Sequence, residues 1–300
     1  MNPFLSLAIL TVLTSQGRAA DFFAEFDEVK SKHDIKAAEK FLAEAYEGNK
    51  TDPEYFVVAA NYWWNLGQEV NISTAPAKPD GFSVRDPKSG KEVGSIGSLG
   101  DVHPEFREKA IALLSEATKS FPQRADIALG LAYIQREAGK DDDCVRTLNA
   151  FLDGVIEHST KDLTWKKGGK FPDAPDKFLP ESIHPHATAF YRAESKEGDA
   201  RCRALLDHLI RAFPNHPYAY NLMAALCRAE KDDAGCLKYL KAAHEKDPND
   251  AIVLMNLGDA YGRAGDKKNA RAMYERASKV GDDETKANAK KALKKLGGAR

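Results

Sequence analysis

Apolar residues recur along most of this chain at three- and four-residue intervals, the spacing that gathers them on one face of an α-helix. The pattern is clearest toward the C-terminus. Leu254, Leu257, Gly258 and Tyr261 form one stripe, Ala270, Tyr274 and Ala277 form another, and Ala264-Gly265-Asp266 breaks the pattern between them. This arrangement predicts a helix, a tight turn and a second helix. The same frame returns 34 residues earlier as Tyr220, Met223, Ala224 and Cys227, then Cys236, Leu240 and Ala243, closed by Pro248. Another 34 residues back stand Cys202, Leu206, Leu209 and Pro214. Three consecutive units of one length mark an internal repeat.

Carried to the N-terminus, the frame places unit starts at about Ala19, Pro53, Ala125, Ile183, Pro217 and Ala251. Two of these steps exceed the period, so two insertions are predicted. In this frame each second helix carries a small residue at Ala38, Ala110, Cys144, Cys202, Cys236 or Ala270. Four residues later stands a larger one, Leu42, Leu114, Leu148, Leu206, Leu240 or Tyr274. A later small position reads Ala45, Ala117, Phe151, Leu209, Ala243 and Ala277, and is degenerate in the middle units. Small residues let neighbouring helices approach, and large ones fill the space between them.

These residues resemble the tetratricopeptide repeat (TPR), whose pattern runs large residue, Leu-Gly, Tyr, Ala, aromatic, Ala and Pro. The unit from Ala251 matches best and departs chiefly at Asp282, where the family favours proline. The resemblance implies an all-α fold: a TPR-type superhelix of helical hairpins, about six repeats long, with a C-terminal capping helix. Residues 20–66 then hold a degenerate repeat and the first helix of the next. Residues 104–158 hold TPR-like repeats, 183–284 three consecutive units and 285–300 the cap. Over Glu284–Leu296 the residues Ala289, Ala292, Leu293 and Leu296 make an apolar stripe, while Lys286, Lys290, Lys291, Lys294 and Lys295 share the other face. Such a half-polar helix suits a terminal cap, with an arm for nucleic acid or anionic lipid as the alternative.

Both insertions depart from helical spacing. The first, residues 67–103, contains Val70–Thr74, Phe82–Arg85 and Glu92–Ile96, which favour strands, with a turn at Asp86–Gly90. A small β-hairpin is predicted there. Asn71-Ile72-Ser73 also fits a glycosylation sequon. The second, residues 159–182, mixes Lys, Pro and Gly with Trp165, Phe171 and Phe178. These rings either pack back on the helices or cover an acidic or carbohydrate ligand.

The N-terminus predicts export. Pro3–Leu13 is an apolar run of signal-peptide length, too short to span a membrane, and Gly17 and Ala19 suit cleavage after Ala19. Residues 1–19 are therefore read as a signal peptide and the mature chain as periplasmic or secreted, with a buried N-terminal helix as the alternative. No stable membrane insertion is expected after cleavage.

Composition narrows the chemistry. Lys and Arg number 44 against 45 Asp and Glu, a formal charge of −1, so no global positive field favours nucleic acid. Four cysteines in an exported chain raise the question of disulfides. Cys144, Cys202 and Cys236 hold equivalent positions in successive units, too far apart to pair; Cys227 with Cys236 is the remaining combination. His184-Pro185-His186 is the one tight histidine pair, and no metal signature, phosphate loop or nucleophile elbow occurs. No catalytic residue, metal or cofactor is expected.

In TPR proteins the first helix of each pair lines a groove for peptides or partner segments. The resemblance thus implies a non-catalytic scaffold with a protein or peptide partner. The outward positions are Asn61, Trp64, Tyr133, Arg136, Tyr191, Glu194, Tyr218, Asn221 and Arg228. Tyr, Trp and Arg are frequent binding anchors because they present large areas at modest entropic cost. The alternatives are a carbohydrate- or envelope-polymer-binding protein that uses its insertions, and an enzyme with a site near His103, His158 or His184.

Overall fold

A computed structural model describes residues 13–67, 72–73, 82–85, 91–96, 103–166 and 168–298. The helices are α1 (Leu13–Ser31), α2 (Ile35–Asn49), α3 (Pro53–Leu66), α4 (Pro104–Ser120), α5 (Ala125–Glu137), α6 (Asp141–His158), α7 (Pro175–Arg192), α8 (Lys196–Ala212), α9 (Pro217–Ala229), α10 (Asp233–Lys246), α11 (Ala251–Arg263), α12 (Lys267–Val280) and α13 (Asp283–Gly298). The chain divides into two compact units, residues 1–134 and 135–300, with the boundary inside α5. The apolar run of the expected signal peptide lies outside the described residues except for Leu13, and α1 continues through Ala19. Among the described residues no helix is long and apolar enough to cross a membrane.

Local chemistry sets the helix boundaries. Asp34, Asp52, Asp232, Asp250 and Asp266 each accept a backbone N–H of the helix they precede, and Ser195 does the same for α8. These side chains satisfy donors that the first turn leaves without partners. Pro53, Pro104, Pro175 and Pro217 occupy first positions, where a missing N–H costs nothing. The turns of five helical hairpins each pass through one left-handed residue: His33, Gly139, Glu194, Lys231 and Gly265.

The repeat frame predicts burial position by position. Ala38, Ala110, Cys144, Cys202, Cys236 and Ala270 are all buried, as are Leu42, Leu114, Leu148, Leu206, Leu240 and Tyr274. At the later small position Ala45 is half-buried, while Ala117, Phe151, Leu209, Ala243 and Ala277 are buried. In the last unit the Leu-Gly step has a steric cause: a Cβ on Gly258 would stand 2.6 Å from the ring of Tyr274. The Tyr274 hydroxyl donates to Asp259 at 2.5 Å and fixes the ring in that place. Ala289 of α13 is buried with Leu254 and Ala277, so the apolar stripe of α13 covers the end of the stack, while Lys290, Lys291, Lys294 and Lys295 remain exposed.

Residues 1–134 are held mainly by rings. Phe22, Phe26 and Phe41 stack at 5.8–5.9 Å, Tyr62 meets Phe26 edge-on at 5.3 Å, and Trp63 stacks on Phe106 at 5.4 Å. The buried guanidinium of Arg124 lies 2.8 Å from Glu54 and 2.8 Å from Asp126, which ties the start of α3 to the start of α5.

Between α3 and α4 three short strands pair: β1 (Ile72–Ser73), β2 (Phe82–Arg85) and β3 (Glu92–Ile96). Their order is β1-β3-β2, antiparallel, with Ile72 and Phe82 both opposite Ile96 and an irregularity between Val84 and Arg85. Asn71 of the sequon and the turn at 86–90 lie outside the described residues.

The second insertion is partly helical. After a 3-10 turn at Thr160–Asp162, Trp165, Phe171 and Phe178 contact one another with centroids 4.9–5.9 Å apart. Helix α7 then begins at Pro175 rather than near Ile183, because the fixed φ of Pro175 suits a first helical position. Pro180 and Pro185 lie within α7.

Candidate functional site

The first helices of the hairpins are the elements expected to face a partner. On α3, Asn61 is exposed and lines an open hollow of about 450 Å³ with Lys30, Val58, Tyr62, Asn65 and Leu66. Trp64 is not an outward anchor. It is only 9% exposed, beneath the Arg107 guanidinium, which sits 5.3 Å from its ring centroid. Helix α3 buries Tyr55, Phe56, Ala59, Ala60, Trp63 and Trp64, so it is apolar almost all round and has little outward face to spare. Tyr133 on α5 is 48% exposed, with its ring free for contact.

In residues 135–300 the remaining candidates fall into two groups. Arg136, Tyr191 and Asn221 are half-buried, and Tyr218 and Arg228 are exposed, all on first helices. Glu194 is not on such a face: α7 ends at Arg192, and Glu194 forms the left-handed turn with φ 48°. The frame places it on the helix because this unit reaches its turn three residues earlier than the unit containing Lys231 does. Tyr218 packs between two imidazoles, His184 at 5.3 Å and His216 at 4.6 Å.

A small hollow of about 30 Å³ lies among α9, α10 and α11, with Asn221, Arg228, Asn256 and Arg263 as its polar lining over Ala224 and Leu240. The Asn256 amide nitrogen donates to the Asn221 carbonyl oxygen at 2.9 Å. This bond leaves the Asn221 N–H groups as donors and the Asn256 carbonyl oxygen as an acceptor, and both residues line the hollow. Arg263 donates to Asp233 at 2.9 Å and to Cys236 Sγ at 3.4 Å, which fixes one wall. Asn221 and Arg228 are legible from the helical frame. Asn256 and Arg263 escaped it, although each stands within two residues of the place that Asn221 or Arg228 holds one period earlier.

Burial keeps the thiols and several imidazoles neutral. The four cysteines are free and buried, so Cys227 and Cys236 are not bonded. Cys144 Sγ lies 3.5 Å from His186 Nδ1. Burial pushes the Cys144 thiol up to about 12 and the His186 imidazole down to about 4. An activated nucleophile requires the reverse, a thiolate beside an imidazolium. Burial likewise raises Cys202, to about 12, and lowers His184 and His216. His103 contacts Glu105 at 3.1 Å, and His158 lies at the surface beside Glu157. Among the described residues no group of three His, Cys, Asp or Glu side chains could hold a metal ion.

Comparison with known proteins places a tetratricopeptide repeat at residues 253–279. That segment spans α11 and α12, the pair in which Gly258 meets Tyr274. Similar solved structures include YrrB, described as a TPR protein with an unusual peptide-binding site, at 15% identity and TM-score 0.43, covering 83% of this chain and 97% of that one. MamA is similar at 15% identity and TM-score 0.39, with 62% and 93% covered. A thermophilic TPR protein of Thermus thermophilus is similar at 16% identity and TM-score 0.37, with 63% and 92% covered. No curated protein matches the chain. The chain therefore carries a tetratricopeptide repeat at residues 253–279, continuous with helical hairpins of the same frame.

Proposed function

We propose that this chain is an exported, non-catalytic scaffold that holds a peptide or protein partner against the first helices of its repeats. The reading rests on the asparagine pair. Asn221 and Asn256 reach each other from consecutive first helices and keep an open donor and an open acceptor beside a hollow. A peptide group presents the complementary carbonyl and N–H, so the pair can hold a backbone in a fixed register whatever its side chains. Exposed Tyr218 on α9 and exposed Tyr133 on α5 supply ring surface of the kind that anchors partners. The cationic cap helix turns its apolar stripe inward, which supports an end cap rather than a nucleic-acid arm.

Export is supported by the apolar run Pro3–Leu13 and the small residues Gly17 and Ala19. The expected mature protein begins at Ala20 in the periplasm or outside the cell, and N-terminal sequencing of the fractionated protein checks this. The partner is tested by capture from solubilised envelope extract with the full chain and with Asn221→Ala/Asn256→Ala. A protein retained by the parent and lost by the variant supports the scaffold. A protein retained equally by both moves the working surface away from the first helices.

A further inference from the structure

Each first helix of residues 135–300 ends in an arginine: Arg136 on α5, Arg192 on α7, Arg228 on α9 and Arg263 on α11. Each stands two or three residues before the left-handed turn residue, Gly139, Glu194, Lys231 or Gly265. The four guanidiniums therefore recur at one level of successive helices. An arginine in a last turn gains from the helix dipole, which accounts for one cation at each helix end. It does not account for where these side chains sit. Arg136 and Arg192 line one hollow with His184 and Thr188, and Arg228 and Arg263 line the other with Asn221 and Asn256.

Their partners divide the row. The outer members are neutralised, Arg136 by Glu137 at 2.9 Å and Arg263 by Asp233 at 2.9 Å. The inner members, Arg192 and Arg228, are exposed and have no carboxylate within ion-pair distance among the described residues. Other arginines of this unit do: Arg203 meets Glu230 at 2.7 Å and Arg201 meets Asp142 at 2.7 Å. Two adjacent helices thus carry uncompensated guanidiniums at the edge of the surface read above as the partner site.

We infer that the partner held by this surface is an acidic peptide segment whose carboxylates engage Arg192 and Arg228. The inference rests on the scaffold reading and adds the chemical class of the partner. Packed helices lie roughly 8–10 Å apart. A polyproline II chain rises about 3.1 Å per residue with three residues per turn, so side chains at i and i+3 share a face about 9 Å apart. Carboxylates spaced by three residues therefore match guanidiniums on consecutive helices. Guanidinium forks receive the carboxylates in two-point contacts, and the Asn221–Asn256 pair, between α9 and α11, holds the backbone where the segment continues past Arg228.

The test is fluorescence anisotropy of the full chain with a labelled nonapeptide carrying Glu at positions 1, 4 and 7 and Ala or Pro elsewhere. Two companion peptides replace Glu by Gln or by Lys. The acidic peptide is expected to bind at least tenfold tighter than the Gln peptide, with affinity falling steeply between low and physiological salt. Arg192→Gln/Arg228→Gln is expected to abolish that preference, while Arg201→Gln leaves it intact. Unchanged circular dichroism and melting of each variant separates lost binding from lost folding. Equal binding of the acidic and Gln peptides, or a preference untouched by the double variant, overturns the inference while leaving the scaffold reading in place. If no peptide binds and Asn221→Ala/Asn256→Ala changes no captured protein, the scaffold reading itself fails.

Discussion

In residues 1–134 the large buried side chains include the rings of Phe26 and Phe56, whereas residues 135–300 bury Leu148, Leu152, Leu205, Leu206, Leu209, Met223 and Leu226. The second unit holds the uninterrupted 34-residue repeats, in which small and large positions alternate in register and aliphatic side chains fill the layers. The first carries a degenerate opening repeat and a long insertion between α3 and α4. It closes its gaps with interlocking rings and the Arg124 ion triad instead. The regular unit also carries the buried His186 and the arginine row, so regularity of packing and polar equipment occur together. A repeat that keeps its register can vary one face freely, because neighbouring units supply its stability.

The largest effect that would break this contrast is at Phe26. Phe26→Ala removes a fully buried ring from the stack and is expected to cost about 3–5 kcal/mol. Hydrogen exchange should show protection lost in residues 22–66 and kept in α9–α12. Uniform loss across both units would mean that they do not differ in the way described. The reciprocal change is Gly258→Ala, which drives a methyl into the Tyr274 ring and is expected to cost about 1–3 kcal/mol, with protection falling first in α11 and α12.

Acid should separate the units more gently. Burial lowers the pKa values of His184, His186, His216 and His244, all in the second unit, whereas His33 and His103 of the first lie toward the surface. The unfolded chain takes up these protons near pH 6.5, while folded His186 waits until about 4. More protons on the unfolded state mean that stability is full above pH 6.5 and is lost as pH falls toward 4. His186 alone contributes on the order of 2 kcal/mol of that loss by pH 5. A urea titration series from pH 7.5 to 5 should lower the midpoint of the second unit, and His186→Leu should flatten the slope. The smallest effect belongs to the exposed pair Arg263–Asp233. Asp233→Asn is expected to change stability by about 0.2–1 kcal/mol in thermal melts.

Much of this architecture is legible in the sequence because the repeat fixes both a period and a burial pattern. The starts of α3, α5, α9 and α11 at Pro53, Ala125, Pro217 and Ala251 fall where the frame places them. What escapes it has physical causes. A fixed period cannot register a turn that arrives three residues early, and it misplaces Glu194 for that reason. Helical position alone puts Trp64 outward because it takes no account of neighbours; the run Phe56–Trp64 is apolar on nearly every side, itself a sign of a helix buried all round. Arg192 escapes the frame because its hairpin is the shifted one, yet an arginine in the last turn of four successive first helices is visible in the sequence alone.

The measurement that bears most directly on the scaffold reading is site-specific photo-crosslinking in the full chain, with a photoreactive phenylalanine analogue at Tyr218 on α9 or at Val280 on α12. Both positions are exposed, at 39% and 46%, so accessibility does not distinguish them. Discrete partner adducts from Tyr218 and none from Val280 are the predicted result. Adducts from Val280 alone, or equally from both, would contradict a partner site on the first helices.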